Sequence, residues 1–105
     1  MRVIALGRLR AFWQQPGRGD AEQPLKAWFK EAEKANWTAP ADIKRRYASA
    51  SFLNDNRVVF NIGGNKYRLI VVVLYRARTV LIRFIGTHKE YDRIDANTVG
   101  GVRRL

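Results

Sequence analysis

The chain has 105 residues, of which 47% are hydrophobic, and this length and composition predict a single compact domain and argue against disorder. Twenty Lys and Arg residues against nine Asp and Glu residues leave a net charge of +11, which favours a polyanionic partner, with nucleic acid as the first candidate and an acidic protein as the second. The absence of cysteine excludes disulfides and thiolate metal sites.

The N-terminal segment is predicted to contain a short strand and a short helix. Residues 3–6 are apolar but too few for a signal peptide, so we interpret them as a strand that ends at Gly7. Residues 8–15 favour one or two helical turns, which the following Pro-Gly pair terminates. Because the longest apolar run, residues 69–74, is far shorter than the roughly 20 residues of a membrane-spanning helix, we expect a cytoplasmic protein without a membrane partner.

Two further helices are predicted in the first half of the chain. Residues 21–37 carry apolar side chains at helical spacing, with Asp20 as the N-cap and Gln23 completing a capping box. Asp42 is predicted to cap a shorter helix that runs to about Ser49. The apolar stripe of the longer helix consists of Leu25, Trp28, Phe29, Ala32 and Ala35 or Asn36.

Two clusters in these helices have both a structural and a functional interpretation. For Trp28 and Phe29 the functional interpretation is a base-stacking platform, whereas their helical spacing favours the hydrophobic core. The basic cluster of Lys44, Arg45 and Arg46 is either a solvated helix face or a ridge that contacts phosphates. The sequence favours the core for the aromatic pair and neither alternative for the basic cluster.

The second half changes to the two-residue period of β-strands. Residues 57–62 alternate as in a half-buried strand, and Gly63-Gly64-Asn65 is a strong turn signal. Residues 67–75 suit a central strand, residues 76–78 a turn and residues 79–85 a returning strand. We therefore predict an α+β fold, a small antiparallel meander with the N-terminal helices packed on one face. The core-facing side chains are predicted to be Val58, Phe60 and Ile62 in the first strand, and Val80, Ile82 and Phe84 in the last.

Candidate catalytic groups lie just after the last predicted strand. The single histidine, His88, is followed at once by Lys89, Glu90 and Tyr91. RNA cleavage by the neighbouring 2′-hydroxyl needs proton transfer and a cation at the phosphate, and these side chains offer both without a metal ion. Spacing alone favours the alternative of a surface histidine without a catalytic role. Arg68 on the central strand would project a cation from the sheet, with an ion pair to a carboxylate as its alternative.

Two motifs in the second half carry a resemblance to a known family. Residues 60–68 read F-N-I-G-G-N-K-Y-R, which matches F-N-x-G-G-N-x-x-R, and residues 87–92 read T-H-K-E-Y-D, which matches T-H-x-E-Y-D. In this order and at this separation they resemble the HigB-type mRNA interferase toxins of the RelE-like superfamily. The resemblance implies a small α+β fold and endoribonuclease activity, typically on mRNA that is being translated on the ribosome. It also implies a cognate helix-turn-helix antitoxin, through which alone the toxin would meet operator DNA.

The resemblance also implies roles for individual residues. His88 would transfer a proton with Tyr91 assisting, while Arg68 and Lys89 complete the catalytic set at the scissile phosphate. No cofactor and no metal ion is expected. Residues 99–105 match nothing in the family pattern, and residues 93–105 are expected to form a flexible tail. Glu90 and Asp92 are expected to cap the local backbone or pair with cations. The residues expected to bind substrate are Lys66, Asn61 and Asn65 near the first motif, and Lys44, Arg45 and Arg46 in the basic cluster.

Two other classes of function remain open alongside the nuclease. A non-catalytic RNA- or ribosome-binding protein, including a toxin with a decayed site, fits the same charge, as does a DNA-binding repressor. The presence of both Arg68 and His88 favours the nuclease, because a decayed site would have lost one or both. Charge complementarity places an acidic antitoxin either over residues 44–46 or over Arg68 and His88.

Overall fold

A five-stranded sheet organises the computed structural model, which describes residues 1–100. The sheet has the strand order β1-β5-β4-β3-β2. Its strands are β1 (Arg2–Ile4), β2 (Ser51–Phe52), β3 (Arg57–Ile62), β4 (Tyr67–Leu74) and β5 (Thr79–Thr87). The α-helices of the described residues are α1 (Leu6–Trp13), α2 (Glu22–Lys34), α3 (Pro40–Arg46) and α4 (His88–Asp92), and a 3-10 turn at Gly19–Ala21 precedes α2.

The predicted antiparallel meander is confirmed as the centre of this sheet. Strands β3, β4 and β5 pair antiparallel in sequence order, and β4 is the middle strand. The turn between β3 and β4 contains Gly63 and Gly64, both at positive φ, where glycine has no steric penalty. The predicted N-terminal strand also forms, but it adds to the edge of β5 in parallel. The fold is therefore α+β, with a mostly antiparallel sheet.

The main hydrophobic core lies between α1, α2, α3 and one face of the sheet. Trp28 of α2 is 2% exposed and its ring centroid lies 5.5 Å from that of Phe60 on β3. Burying large side chains of this kind contributes about 1.5–3 kcal/mol each, so the interlocked rings anchor α2 to the sheet. Trp28 is confirmed as a core residue, and Phe29 packs at the edge of the same cluster. The sheet contributes Val58, Phe60, Ile62, Tyr67, Leu69, Val71, Val73, Val80 and Ile82 to this core.

Part of the opposite face of the sheet, around Arg57, is covered by the segment that follows α4. Arg57, only 5% exposed, donates through Nη1 to the Ala96 carbonyl at 3.1 Å and the Val99 carbonyl at 2.8 Å. Val59 and Ile70 are also buried, although they lie outside the helical core cluster and strand alternation directs them to this face. Strand β3 is therefore buried on both faces, whereas its alternation predicted one buried face. The flexible tail at 93–105 stays a prediction, and its last five residues lie outside the described part of the chain.

A β-bulge in β5 changes the orientation of Phe84. Ile82 pairs with Val71, but Phe84 pairs with Ile70, so Arg83 is an extra residue without a partner on β4. Because one extra residue reverses the alternation of all later side chains, Phe84 lies on the Ile70 face. The prediction that Phe84 shares the core face of Ile82 is therefore wrong.

The two aspartates predicted as helix N-caps have other roles. Helix α2 begins after Ala21 without a side-chain cap, and Asp20 accepts hydrogen bonds from Lys66 and Tyr67 instead. Helix α3 begins at Pro40, so Asp42 lies inside its first turn, where its carboxylate accepts from the Thr38 N–H at 2.8 Å. Both predictions of an N-cap are wrong, because Asp20 pairs with Lys66 and Tyr67, and Asp42 accepts from the backbone of Thr38 and of the true N-cap residue, Ala39.

No helix among residues 1–100 is long and apolar enough to cross a membrane.

Candidate functional site

Arg68 stands near the start of β4 on the sheet face opposite the helical core. Its neighbours Tyr67 and Leu69 point into that core, and strand alternation therefore directs Arg68 to the other face. Asn61 on β3 and Gly86 on β5 are its cross-strand partners. Side chains that are paired in this way lie next to each other on one face. The sheet therefore brings Asn61 beside Arg68, two residues of the first motif.

The β3–β4 turn fixes the orientation of the Arg68 side chain. Its Nη1 donates to the Asn65 Oδ1 at 2.9 Å and to the Asn65 carbonyl at 3.3 Å. One nitrogen of the guanidinium is thereby held, and the other donors of this side chain stay available for an anion. The glycines that let the chain turn at 63–64 thus place Asn65 where it orients Arg68.

Helix α4 carries the second motif and begins directly after β5. Thr87 is its N-cap, and the Thr87 hydroxyl accepts from the Glu90 N–H at 3.2 Å. In return Glu90 Oε1 accepts from the Thr87 N–H at 2.9 Å. This capping box satisfies two backbone donors at once, which explains why the strand ends and the helix begins at His88. The expectation that Glu90 caps the local backbone is confirmed.

The helix places Tyr91 against Arg68. The Arg68 Cζ lies 5.9 Å from the centroid of the Tyr91 ring, within the range of a cation–π contact. His88 is the first residue of the same helix and is half-buried, and Lys89 beside it is exposed. Among the residues that the structure describes, neither His88 nor Lys89 forms a side-chain hydrogen bond. The two motifs therefore meet, with Arg68 and Tyr91 in contact and His88 one helical turn away from the tyrosine.

Glu90 links this helix to the connection between α1 and α2. Its Oε2 accepts from Arg18 Nη2 at 2.9 Å, while the Arg18 guanidinium lies 4.8 Å from the centroid of the Phe12 ring. The hydrogen bond from the Thr87 N–H, supported by Arg18, lowers the pKa of Glu90. Glu90 is therefore a charged structural acceptor, and the expectation that it pairs with a cation is also confirmed.

Lys66 has a partner that the motif did not predict. Its ammonium forms an ion pair with Asp20, which also accepts a hydrogen bond from the Tyr67 hydroxyl. The hydrogen bond to Asp20 raises the pKa of Lys66, and the hydrogen bond from Lys66 is the main cause of the lowered pKa of Asp20. Contact between Lys66 and a phosphate, which stays a prediction, would compete with this ion pair.

The basic cluster of α3 lies away from Arg68. Helix α3 packs on the core side of the sheet, through Ile43. Its Asp42 lies near Tyr75, and burial together with this carboxylate raises the pKa of Tyr75. Tyr75 follows the end of β4, whereas Arg68 stands near the start of that strand. The structure therefore does not bring the cluster together with the two motifs, and its binding of RNA stays a prediction. The partners of its cations are the Ala50 carbonyl for Lys44 at 2.8 Å, the Asp42 carboxylate for Arg45, and the Glu31 carboxylate for Arg46 at 2.7 Å.

Arg68 makes its hydrogen bonds with Asn65 at the protein surface. A groove of about 710 Å³ lies between α1 and α2 and is lined by Trp13 and Phe29 among others, but none of the predicted site residues lines it. Within residues 1–100 no group of three or more metal-ligating side chains is close enough to hold a metal ion. A surface with an oriented guanidinium beside an aromatic ring suits an extended polyanion better than a small molecule.

Two residues of this region escaped the sequence interpretation. Arg18 lies in a loop with no motif, and no spacing signal connects it with Glu90, 72 residues further along. Gly86 stands opposite Arg68, and a Cβ there would lie 3.0 Å from Glu90 Oε1. Its position between two motifs was the signal available for Gly86, because a glycine in a strand often marks a close approach.

Comparisons with known proteins identify the family of this chain. The sequence profile of a family described as "HigB_toxin, RelE-like toxic component of a toxin-antitoxin system" matches residues 21–94. The mRNA interferase toxin HigB of Escherichia coli strain K12 is 34% identical over 67 residues, which are 64% of this chain and 59% of the relative. The proteins named mRNA interferase HigB from Escherichia coli O157:H7 and Shigella flexneri match to the same extent.

The match therefore spans about three-fifths of the length of these curated relatives, 59% in each case. The family profile covers more of this chain, because residues 21–94 hold both motifs and every element from α2 to α4. The chain belongs to the HigB toxin family, the RelE-like toxic components of toxin–antitoxin systems.

Proposed function

We propose that this protein is an endoribonuclease that cleaves mRNA, and that Arg68, His88 and Tyr91 form the centre of its active site. The observation that carries the proposal is the contact between Arg68 and Tyr91, which joins the two motifs on one side of the sheet. Family membership supports a toxin, and the relatives are named mRNA interferases. The net charge of +11 favours capture of RNA over a neutral substrate.

The proposed reaction is attack of a 2′-hydroxyl on the neighbouring phosphorus. The new bond joins the 2′-oxygen to phosphorus, and the bond from phosphorus to the 5′-oxygen breaks, which leaves a 2′,3′-cyclic phosphate and a free 5′-hydroxyl. His88 accepts the proton of the 2′-hydroxyl or donates one to the leaving 5′-oxygen, and Tyr91 assists as the second proton-transfer group. The step uses no metal ion.

Cations of the site stabilise the charge that develops on the phosphate. Arg68 is oriented by Asn65 and keeps free donors for two phosphate oxygens. Lys89 is exposed beside His88 and supplies a second cation. Asn61, the cross-strand neighbour of Arg68, donates to the RNA, and Lys66 joins only when its ion pair with Asp20 opens.

The partners follow from the same proposal. We propose mRNA on the translating ribosome as the substrate, a cognate helix-turn-helix antitoxin as the inhibitor, and the cytoplasm as the location. Operator DNA is reached only through the antitoxin. These partners are supported by the family description as the toxic component of a toxin–antitoxin system and by the names of the relatives.

The test is induction of the chain in growing cells with primer-extension mapping of a reporter mRNA. Arg68→Ala and His88→Ala are compared with Arg76→Ala, which removes the same charge as Arg68→Ala from an exposed turn at the other end of β4. We expect growth arrest and discrete new 5′ ends in the parent and in Arg76→Ala, and neither in the two site variants.

Cleavage in vitro by purified chain with and without ribosomes, each with and without EDTA, tests the finer claims. Cleavage that requires ribosomes and persists in EDTA is the expected result. If RNA is bound but no new ends form in any sample, the protein is a non-catalytic RNA- or ribosome-binding protein and the proposal fails.

A further inference from the structure

Helix α4 is too short to be stable by itself. It has five residues, whereas isolated helices shorter than about 12–15 residues are marginal in water. Its position must therefore come from contacts with the rest of the protein. Of its side chains, Tyr91 contacts Arg68 and Glu90 contacts both Thr87 and Arg18.

Arg18 is the contact that reaches α4 from the helical layer. Its side chain is 24% exposed, and its guanidinium packs on the Phe12 ring, itself part of the core. A cation held in this way has little freedom. It therefore fixes Glu90 Oε2 to the rigid part of the protein, while Glu90 Oε1 is fixed by the Thr87 N–H.

The same connection between α1 and α2 also holds the other half of the site. Asp20, two residues after Arg18, forms the ion pair with Lys66 and accepts from Tyr67 at the start of β4. One loop thus contacts both the β3–β4 turn, which orients Arg68, and the helix that carries Tyr91. Movement of this loop would change the distance between the two motifs.

We infer that Arg18 is a positioning residue of the active site, which acts through Glu90 to hold α4, and with it His88 and Tyr91, in register with Arg68. The inference rests on the proposed function for its catalytic consequence. A direct contact between Arg18 and RNA is the competing role, and it predicts a different salt dependence.

The experiment compares Arg18→Gln, Arg18→Lys, Glu90→Gln and the double variant R18Q/E90Q. Lys26→Gln is the matched control, because it also removes one positive charge and breaks one ion pair, that with Glu22 on α2. Two quantities are measured in each protein: amide hydrogen exchange of Glu90 and Arg93 by NMR, and kcat and KM for cleavage. Both amides form hydrogen bonds within α4 or its caps.

We expect R18Q to accelerate exchange at these amides and to lower kcat about ten-fold, since small misplacements of catalytic groups are costly, with KM nearly unchanged. Arg18→Lys should recover part of the loss, and Lys26→Gln should behave like the parent. The double variant should be no worse than the poorer single variant, because residues that act through each other are not additive.

Three results would overturn the inference. Exchange in α4 that is unchanged by R18Q shows that Arg18 does not hold the helix. An additional loss of kcat when R18Q is added to E90Q shows that Arg18 acts independently of Glu90. If the slope of log affinity against log salt concentration is less steep by about 0.7 in R18Q than in the parent, Arg18 contacts a phosphate directly. If the parent chain does not cleave RNA, the proposed function fails, while the exchange measurement still decides whether Arg18 holds α4.

Discussion

Replacing Gly86 by alanine should damage the protein at the point where the two motifs meet. A Cβ at Gly86 would lie 2.5 Å from Phe84 Cζ and 3.0 Å from Glu90 Oε1. The Phe84 ring can move, but Glu90 Oε1 is held by the Thr87 N–H at 2.9 Å, so relief of the contact must weaken the cap of α4. Overpacking of this kind costs typically about 1–3 kcal/mol. For a protein of this size each 1 kcal/mol lowers Tm by roughly 4–8 °C.

Gly7→Ala is the matched control for this substitution. A Cβ at Gly7, in the first turn of α1, meets nothing within 4 Å, and alanine is favoured over glycine in a helix by about 0.5–1 kcal/mol. Thermal unfolding should therefore give a lower Tm for G86A and an equal or higher Tm for G7A, and G86A should also cleave RNA more slowly. If G86A is as stable as the parent and as active, the close packing of Glu90 on this strand is refuted.

Three further substitutions test the core, the cap and the orienting turn. Phe60→Ala, at a ring that is 1% exposed, should lower the free energy of unfolding by about 3–5 kcal/mol in urea titrations; a loss below 1 kcal/mol would contradict its central place in the core. The pKa of Glu90 is lowered, so the ionised carboxylate stabilises the fold at pH values above the ordinary value of 4.5, and this contribution is lost as the pH falls further. Glu90→Gln should therefore make the free energy of unfolding depend less steeply on pH below 4.5. An unchanged pH profile would count against the cap. Asn65→Ala removes the 2.9 Å hydrogen bond that orients Arg68; we expect cleavage to slow about three- to ten-fold, since such a bond contributes roughly 1 kcal/mol, with Tm unchanged, and full activity would show that Arg68 needs no such support.

The parts of the fold that sequence predicts well are those with a local period. Val58, Phe60 and Ile62 face the core because alternation in a strand is fixed by the backbone. The same reasoning fails at Phe84, because one unpaired residue, Arg83, reverses the alternation and no composition signal marks it.

Long-range partners are the parts that sequence does not predict. The pairing of β1 with β5 places Arg2 opposite Thr79, and neither segment carries a sequence signal that identifies the other as its partner. Asp20 illustrates the consequence, because a short acidic residue before a helix suits an N-cap locally, while Lys66 and Tyr67 compete for it in the folded state. Tertiary contacts override local preference there.

The candidate site shows the same division between motif and context. Arg68 and Tyr91 belong to two different motifs, and the structure places the Arg68 Cζ 5.9 Å from the centroid of the Tyr91 ring, while their catalytic roles stay a prediction. The motifs did not reveal that Lys66 is bound by Asp20 or that Arg18 supports Glu90, because Asp20 and Arg18 both lie outside the two motifs.

The Arg18–Glu90 ion pair has a consequence for the order of synthesis. It joins two residues that are 72 positions apart, and within residues 1–100 the Arg57 guanidinium donates to the carbonyls at positions 96 and 99. A nascent chain that has reached the β3–β4 turn holds Arg18 and Asn65 but not yet α4. A product of premature termination between Arg68 and His88 would thus carry the proposed phosphate-binding half of the site without its proton-transfer half. Under the proposed function, abortive synthesis of this toxin therefore yields a polypeptide that is unable to cut the message that encodes it.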